Sequence, residues 1–138
     1  MKLLKRSLVA LLASGLVAMT GTTSASAATG DCASGYACVW EHPQFGGRYF
    51  GTAKSKAALT SLINVASSAA ANGASCRYTR FYDDRTLNNE PSGSYFTLYS
   101  KQLMGSNYRD PDLRNGAGLD GAGRNFDDTI EGVWFTGC

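Results

Sequence analysis

Few residues in this chain have the type and spacing to do chemistry. His42 is the only histidine among 138 residues. It stands in His42-Pro43-Gln44, a turn sequence, and no Gly-x-Ser-x-Gly elbow occurs anywhere in the chain. A single turn histidine is ordinarily a solvated surface group. The carboxylates come as Asp83-Asp84, Asp110-x-Asp112 and Asp127-Asp128. Paired acids can serve a glycosidase, but adjacent acids in polar sequence are ordinarily solvated. Gly116-Ala117-Gly118-Leu119-Asp120-Gly121 matches G-x-G-x-x-G. No apolar strand precedes it and no helical pattern follows, so nothing aims a helix N-terminus at a pyrophosphate. Asp110-x-Asp112 does not open an EF-hand loop, because Gly121 stands where the bidentate Glu belongs. Cys32, Cys38, Cys76 and Cys138 are too widely spaced for a zinc site, and a cysteine nucleophile needs a free thiol. The chain is therefore expected not to be an enzyme, and to need no cofactor.

The chain begins with the marks of an export leader. Lys2, Lys5 and Arg6 precede an apolar run from Leu8 to Met19, and Ala25-Ser26-Ala27 is a small-x-small cleavage site. Residues 1–27 are read as a signal peptide, cleaved after Ala27 or one residue later. The apolar run is too short to anchor the chain in a bilayer, and no second run follows. The expected product is secreted and extracellular. The leader carries three of the thirteen basic residues and none of the eleven acidic ones, which leaves ten against eleven. A net charge of −1 gives no support to nucleic-acid or membrane-surface binding. What remains, residues 28–138, has the length of one small domain, and a monomer is expected. An even cysteine count in an exported chain reads as disulfides, with three possible pairings.

The elements that must position these residues are mostly strands. Residues 36–41 and 47–52 read as the first two, joined by a fold-over in which Phe45 packs back on Trp40. Gly46 or Gly47 there takes a backbone shape that a Cβ would forbid. An ordinary glycine-containing β-turn is the alternative reading. Residues 54–63 carry apolar positions spaced for one helical face and read as a short helical turn at most. Residues 65–71 are small and β-compatible, and Asn72-Gly73 supplies a hairpin signal through two residues that tolerate positive φ. Residues 75–82 follow as a strand, with Tyr78 and Tyr82 on one face and Phe81 on the other. Residues 83–93 are polar and read as loop, 94–99 as strand. Residues 105–128 hold five glycines and little apolar content, so they read as a long loop, either a surface excursion or a contact loop. Residues 132–135 close the domain.

Trp40, four residues, Phe45, one residue, Gly47 resembles the aromatic–x4–aromatic–x–Gly signature of the βγ-crystallin Greek-key motif. A downstream serine caps the fold-over in that motif, and Ser67 and Ser68 stand at a suitable distance. Cys32-Ala33-Ser34-Gly35-Tyr36-Ala37-Cys38-Val39-Trp40 is similar to the N-terminus of a family of small secreted bacterial peptidase inhibitors built on that fold. The resemblance implies an all-β domain of two Greek-key motifs in a βγ-crystallin-like sandwich, disulfide-bonded, with motifs over residues 32–73 and 74–138. The second motif departs from the signature: Tyr82, four residues, Leu87, one residue, Asn89. Cys32–Cys38 resembles the family's N-terminal loop, and Cys76–Cys138 would then tie the last residue to a central strand.

The same resemblance implies two functions. The first is non-catalytic inhibition of a secreted protease, presented by residues 83–93 or 105–128, the two loops long enough. Neither loop has an internal cysteine to brace it, and the inhibitory contact residues are not legible. The second is a structural or stress-type crystallin module with weak Ca²⁺ binding through Asn/Asp-Asn/Asp-x-x-Ser/Thr-Ser segments. Ile63-Asn64-Val65-Ala66-Ser67-Ser68 keeps the serines, and Asp127-Asp128-Thr129-Ile130-Glu131-Gly132 keeps the acids. Because ligands cross between motifs, Ser67 with Asp127 or Asp128 could make one site; otherwise these residues only cap hairpins. A small exported toxin or antimicrobial protein is a third reading, weakened by the near-neutral charge.

Overall fold

The computed structural model describes residues 30–138 except residue 89. The leader read from residues 1–27, and Asn89 of the second signature, lie outside the described residues. Eight strands follow in order: β1 (Tyr36–His42), β2 (Gly46–Thr52), β3 (Lys56–Ala58), β4 (Ser68–Asn72), β5 (Tyr78–Arg85), β6 (Pro91–Tyr99), β7 (Arg109–Asp110) and β8 (Gly132–Thr136). One short helix, α1 (Lys101–Met104), sits between β6 and β7.

The strands make two antiparallel sheets, ordered β2-β1-β4-β7 and β3-β8-β5-β6. In each half of the chain a hairpin pairs with the fourth strand of its own motif and sends its third strand to the other sheet. The two Greek keys therefore interlock, and neither half closes its sheet alone. Period-2 alternation then sorts the side chains. Ala37 and Val39 of β1, Ala69 and Ala71 of β4, and Phe81, Phe96, Leu98, Val133 and Phe135 of the second sheet meet between the layers. Phe81 stacks on Phe96 with ring centroids 4.9 Å apart, and Phe126 meets Phe96 edge-on at 5.2 Å. Full burial of each such ring is worth about 1.5–3 kcal/mol. A second, smaller core lies on the outer face of the first sheet, where Cys32, Cys38, Trp40 and Ala70 pack with Phe45.

Four sequence expectations are corrected. Residues 83–93 are mostly strand: β5 runs on to Arg85 and β6 starts at Pro91. Their polar sequence misled because this end of the hairpin projects beyond the core. Residues 105–128 are neither structureless nor a surface excursion. Leu113, Ala117 and Phe126 are buried in the main core. Asp110 fixes the path by accepting the N–H groups of Asp112 and Gly118, both at 3.0 Å. Gly118, at φ +53°, lies too close to the Thr97 carbonyl for any Cβ. Residues 54–63 do hold a short helical turn, the 3₁₀ turn at Thr60–Leu62, but also strand β3, which the helical reading missed and which pairs with β8. Asn72-Gly73 is not a hairpin, because β4 and β5 belong to different sheets and neither residue has positive φ. The Asn72 side chain instead ties two segments: Nδ2 donates to the Cys32 carbonyl and Oδ1 accepts from the Gln102 N–H. Helix α1, capped by the buried Ser100 hydroxyl, carries no periodic signal long enough to read from sequence.

Candidate functional site

The first hairpin folds over on itself. Trp40 is fully buried on the outer face of β1. Phe45 meets its indole edge-on at 5.2 Å, and Tyr49 of β2 meets it from the other side at 5.4 Å. The fold-over takes Gln44 and Phe45 through the left-handed region, at φ 58° and 61°. Gly47 follows at φ +75°, and the His42 ring occupies the space its Cβ would need. One hydroxyl pins the loop: Ser68 Oγ donates to the His42 carbonyl at 2.8 Å and accepts the Phe45 N–H at 3.1 Å. Ser67, the neighbouring candidate, is held through its backbone, donating to Trp40 O and accepting from Leu113 N.

The second hairpin is built on the same plan and does not fold over. Trp40 pairs with Tyr49 across β1–β2 and with Ser68 of β4. The equivalent pairs are Tyr82 with Tyr95 across β5–β6 and Tyr82 with Gly132 of β8. Gly132 has no hydroxyl to pin a loop, and the ring of Pro91 packs beside it. Leu87, at the position of Phe45, is 104% exposed rather than seated on Tyr82. The projecting turn is closed by Thr86 N–H to Glu90 O at 2.8 Å and Glu90 N–H to Thr86 Oγ1 at 3.2 Å. Asp83 Oδ1 braces the stem through the Ser94 N–H, and Asp84 Oδ1 accepts the Arg85 N–H. A groove of about 650 Å³ lies beside this hairpin, with Arg85, Asn88 and Glu90 on one side and Phe50, Thr52 and Lys54 on the other.

The two segments read as candidate cation ligands lie side by side. Asn64 N–H donates to Ile130 O and Asp128 N–H donates to Ala66 O, each at 3.0 Å, with both residues at φ 55°. The two halves of this crossing differ. Around Glu131, Asn64 Nδ2 donates to Oε1 at 2.8 Å and Arg85 Nε to Oε2 at 3.3 Å, so side-chain donors already fill that half. Around Asp127, Oδ1 is buried and has no hydrogen-bond partner. Partial burial, and then the neighbouring Asp127 carboxylate, raise the Asp128 pKa above the usual carboxylate value. An orphaned carboxylate oxygen beside a second acid is hard-cation donor chemistry, but the Arg114 guanidinium already bears on Asp127. The acids that bear on it are not a dense cluster: among the described residues no group of three or more His, Cys, Asp or Glu side chains is arranged to hold a metal.

Two exposed ion pairs brace the turns. Arg48 grips Glu41 through its side chain and then its backbone N–H, lowering the Glu41 pKa to about 2. Arg114 does the same for Asp112, lowering its pKa to about 2. Cys32 is bonded to Cys38, fastening the N-terminal segment across the smaller core, and Cys76 to Cys138, 62 residues apart. Sequence reading missed the Glu131–Arg85–Asn64 network and the role of Pro91. Gly132 in place of the serine was the available signal for the latter.

The profile of peptidase inhibitor family I36 matches residues 25–102. No curated protein sequence matches the chain. Two solved structures are similar to the chain. One comes from work on the evolution of the eye lens βγ-crystallin domain fold. It is 17% identical, with 78% of this chain and 90% of that chain covered at a TM-score of 0.54. The other is a βγ-crystallin from Ciona intestinalis, also 17% identical, covering 72% of this chain and 98% of that one at a TM-score of 0.49. The profile takes in more than half of the sequence, both cysteines of the first disulfide and the whole of both hairpins, and the chain belongs to peptidase inhibitor family I36.

Proposed function

We propose that the protein is a secreted, non-catalytic inhibitor of an extracellular protease, and that the turn between β5 and β6 presents Leu87 to the protease cleft. The observation that carries this reading is the contrast between the two hairpins: the first buries its tip, and the second holds a bare leucine out in solvent on a hydrogen-bonded stem. An inhibitor gains affinity when its contact loop is ordered before binding. A leucine is suited to an apolar specificity pocket, and the adjoining groove offers Arg85 and Glu90 for polar contacts at the rim. Two disulfides support an oxidising, extracellular setting. The test titrates the exported chain against a panel of secreted metallo- and serine proteases and follows residual activity. Stoichiometric inhibition of one class is expected, weakened at least tenfold by Leu87→Asp. No inhibition across the panel would remove the inhibitor reading. Inhibition indifferent to Leu87→Asp would move the contact elsewhere.

A weak calcium site is a second reading, favoured by the orphaned Asp127 oxygen. Asp127 and Asp128 with Ser67 would hold the ion, which would supply positive charge to two acids that otherwise repel, and cross-link the motifs.

A further inference from the structure

The outer face of the second sheet carries aromatic side chains that stay partly open. In the first sheet the corresponding face is covered by Phe45 and the Cys32–Cys38 segment. In the second, Tyr78, Tyr95, Tyr99 and Trp134 remain partly exposed around Arg80. Tyr78 and Tyr99 face each other across β5–β6 with centroids 5.6 Å apart, and Tyr82 and Tyr95 do so at 5.1 Å. The two pairs stand four residues apart along β5, about 13 Å at the strand rise. Arg80 lies between them, its guanidinium 4.5 Å from the Tyr95 ring centre.

A recess of about 270 Å³ opens at the Tyr78–Tyr99 end, with Arg80 and Thr97 beneath and Leu119 and Asp120 along the side. The segment carrying Leu119 and Asp120 is held there by Leu119 N–H to Thr97 O, and by the Thr97 hydroxyl donating to Asp120 Oδ2. The site thus combines aromatic walls with a donor-only cation and an acceptor carboxylate. One positive and one negative group leave no net charge, which disfavours phosphate, polyanions and strongly charged peptides. A pyranose has the matching chemistry: apolar C–H faces for the rings, and hydroxyls around its rim that both donate and accept. Tyr95 and Tyr99, both partly exposed and four residues apart on β6, stand about 13 Å apart, which suits a linear ligand of several such rings.

We propose that the outer face of the second sheet binds a neutral polysaccharide, with one sugar ring seated in the recess between Tyr78, Tyr99 and Asp120. This binding is separate from the Leu87 turn and would hold the protein on polymeric surroundings. The test incubates the exported chain with chitin, cellulose and xylan and measures depletion from the supernatant. The soluble hexasaccharides of the first two are then titrated against tryptophan fluorescence. Trp40 is buried, so a change in emission reports Trp134 on this face. Retention on at least one polymer is expected, weakened more than tenfold by Tyr78→Ala with Tyr99→Ala and by Arg80→Gln, and unchanged by Leu87→Asp. Arg80→Gln removes no core side chain, so it decides the matter if the tyrosine variants fail to fold. No retention on any polymer, or retention indifferent to these substitutions, would overturn the proposal. Loss of protease inhibition in Arg80→Gln without polymer binding would assign the face to a protein partner and overturn it equally.

Discussion

Removing one oxygen atom should release the first hairpin. Ser68→Ala deletes the hydroxyl that donates to His42 O at 2.8 Å and accepts Phe45 N–H at 3.1 Å, in a side chain with no solvent exposure. Each bond is worth about 1 kcal/mol, and the carbonyl and N–H left behind must find water by loosening the fold-over, so the total cost is about 2–3 kcal/mol. In a domain of this size that lowers Tm by roughly 8–12 °C. The loosening has its own signature. Phe45 caps Trp40, so a lifted hairpin shifts Trp40 emission to the red. Phe45→Ala acts on the same contact, and the double variant should cost less than the sum of the two singles by about 1 kcal/mol. Ser67→Ala is the control and should cost under about 1 kcal/mol, since Ser67 is held through its backbone. A Tm shift below about 2 °C for Ser68→Ala, or strict additivity with Phe45→Ala, would show that the serine does not pin the loop.

Cys76→Ser with Cys138→Ser opens a 62-residue loop and should cost about 4 kcal/mol, against about 2 for Cys32→Ser with Cys38→Ser. Denaturant midpoints compare the two, and a reversed order would refute the loop-entropy account. The Glu41 carboxyl should titrate at about 2 by NMR, returning to the ordinary carboxylate range in Arg48→Ala. Because the folded value is lowered, the contribution of this pair is complete above the ordinary value of 4.5 and is lost as pH falls through about 2. A wild-type midpoint near 4.5 would show the pair is open in solution. Ca²⁺ at millimolar concentration should raise Tm of the wild type and leave Asp127→Ala/Asp128→Ala unmoved. Equal behaviour of the two proteins retires the metal reading.

What the sequence made legible was local. Trp40, Phe45 and Gly47 lie within eight residues, so their spacing carries the fold-over, and the alternation in 78–82 carries the facing of Tyr78, Phe81 and Tyr82. What it hid was decided across the sandwich. β3 has three residues and β7 two, and each exists because a strand of the other motif needs a partner. No window within 54–63 or 105–128 contains that partner. The burial of Leu113, Ala117 and Phe126 was hidden for the same reason: isolated apolar residues among glycines have no period, and only the packed core shows that they share one.

The second signature was harder to read because it is degenerate, and that degeneracy is informative. The two hairpins share one strand-pairing plan but not the means of burying the tip. Ser68 keeps it in the first motif, whereas Gly132 and Leu87 lack both the pin and the ring. A sequence under selection for stability alone has no reason to leave a leucine bare, because folding the tip over would bury it against Tyr82. The intact copy is therefore best understood as scaffold and the altered one as the working end. Departures from a fold's local rules are where function should be sought. On the two proposals above, protease contact falls at the projecting turn and ligand contact on the face beneath it. It also makes a directional claim: restoring the pin and ring with Gly132→Ser and Leu87→Phe should raise stability if the turn can close, while weakening protease inhibition. A variant that gains stability and keeps full inhibition would break the link between the missing signature and the function.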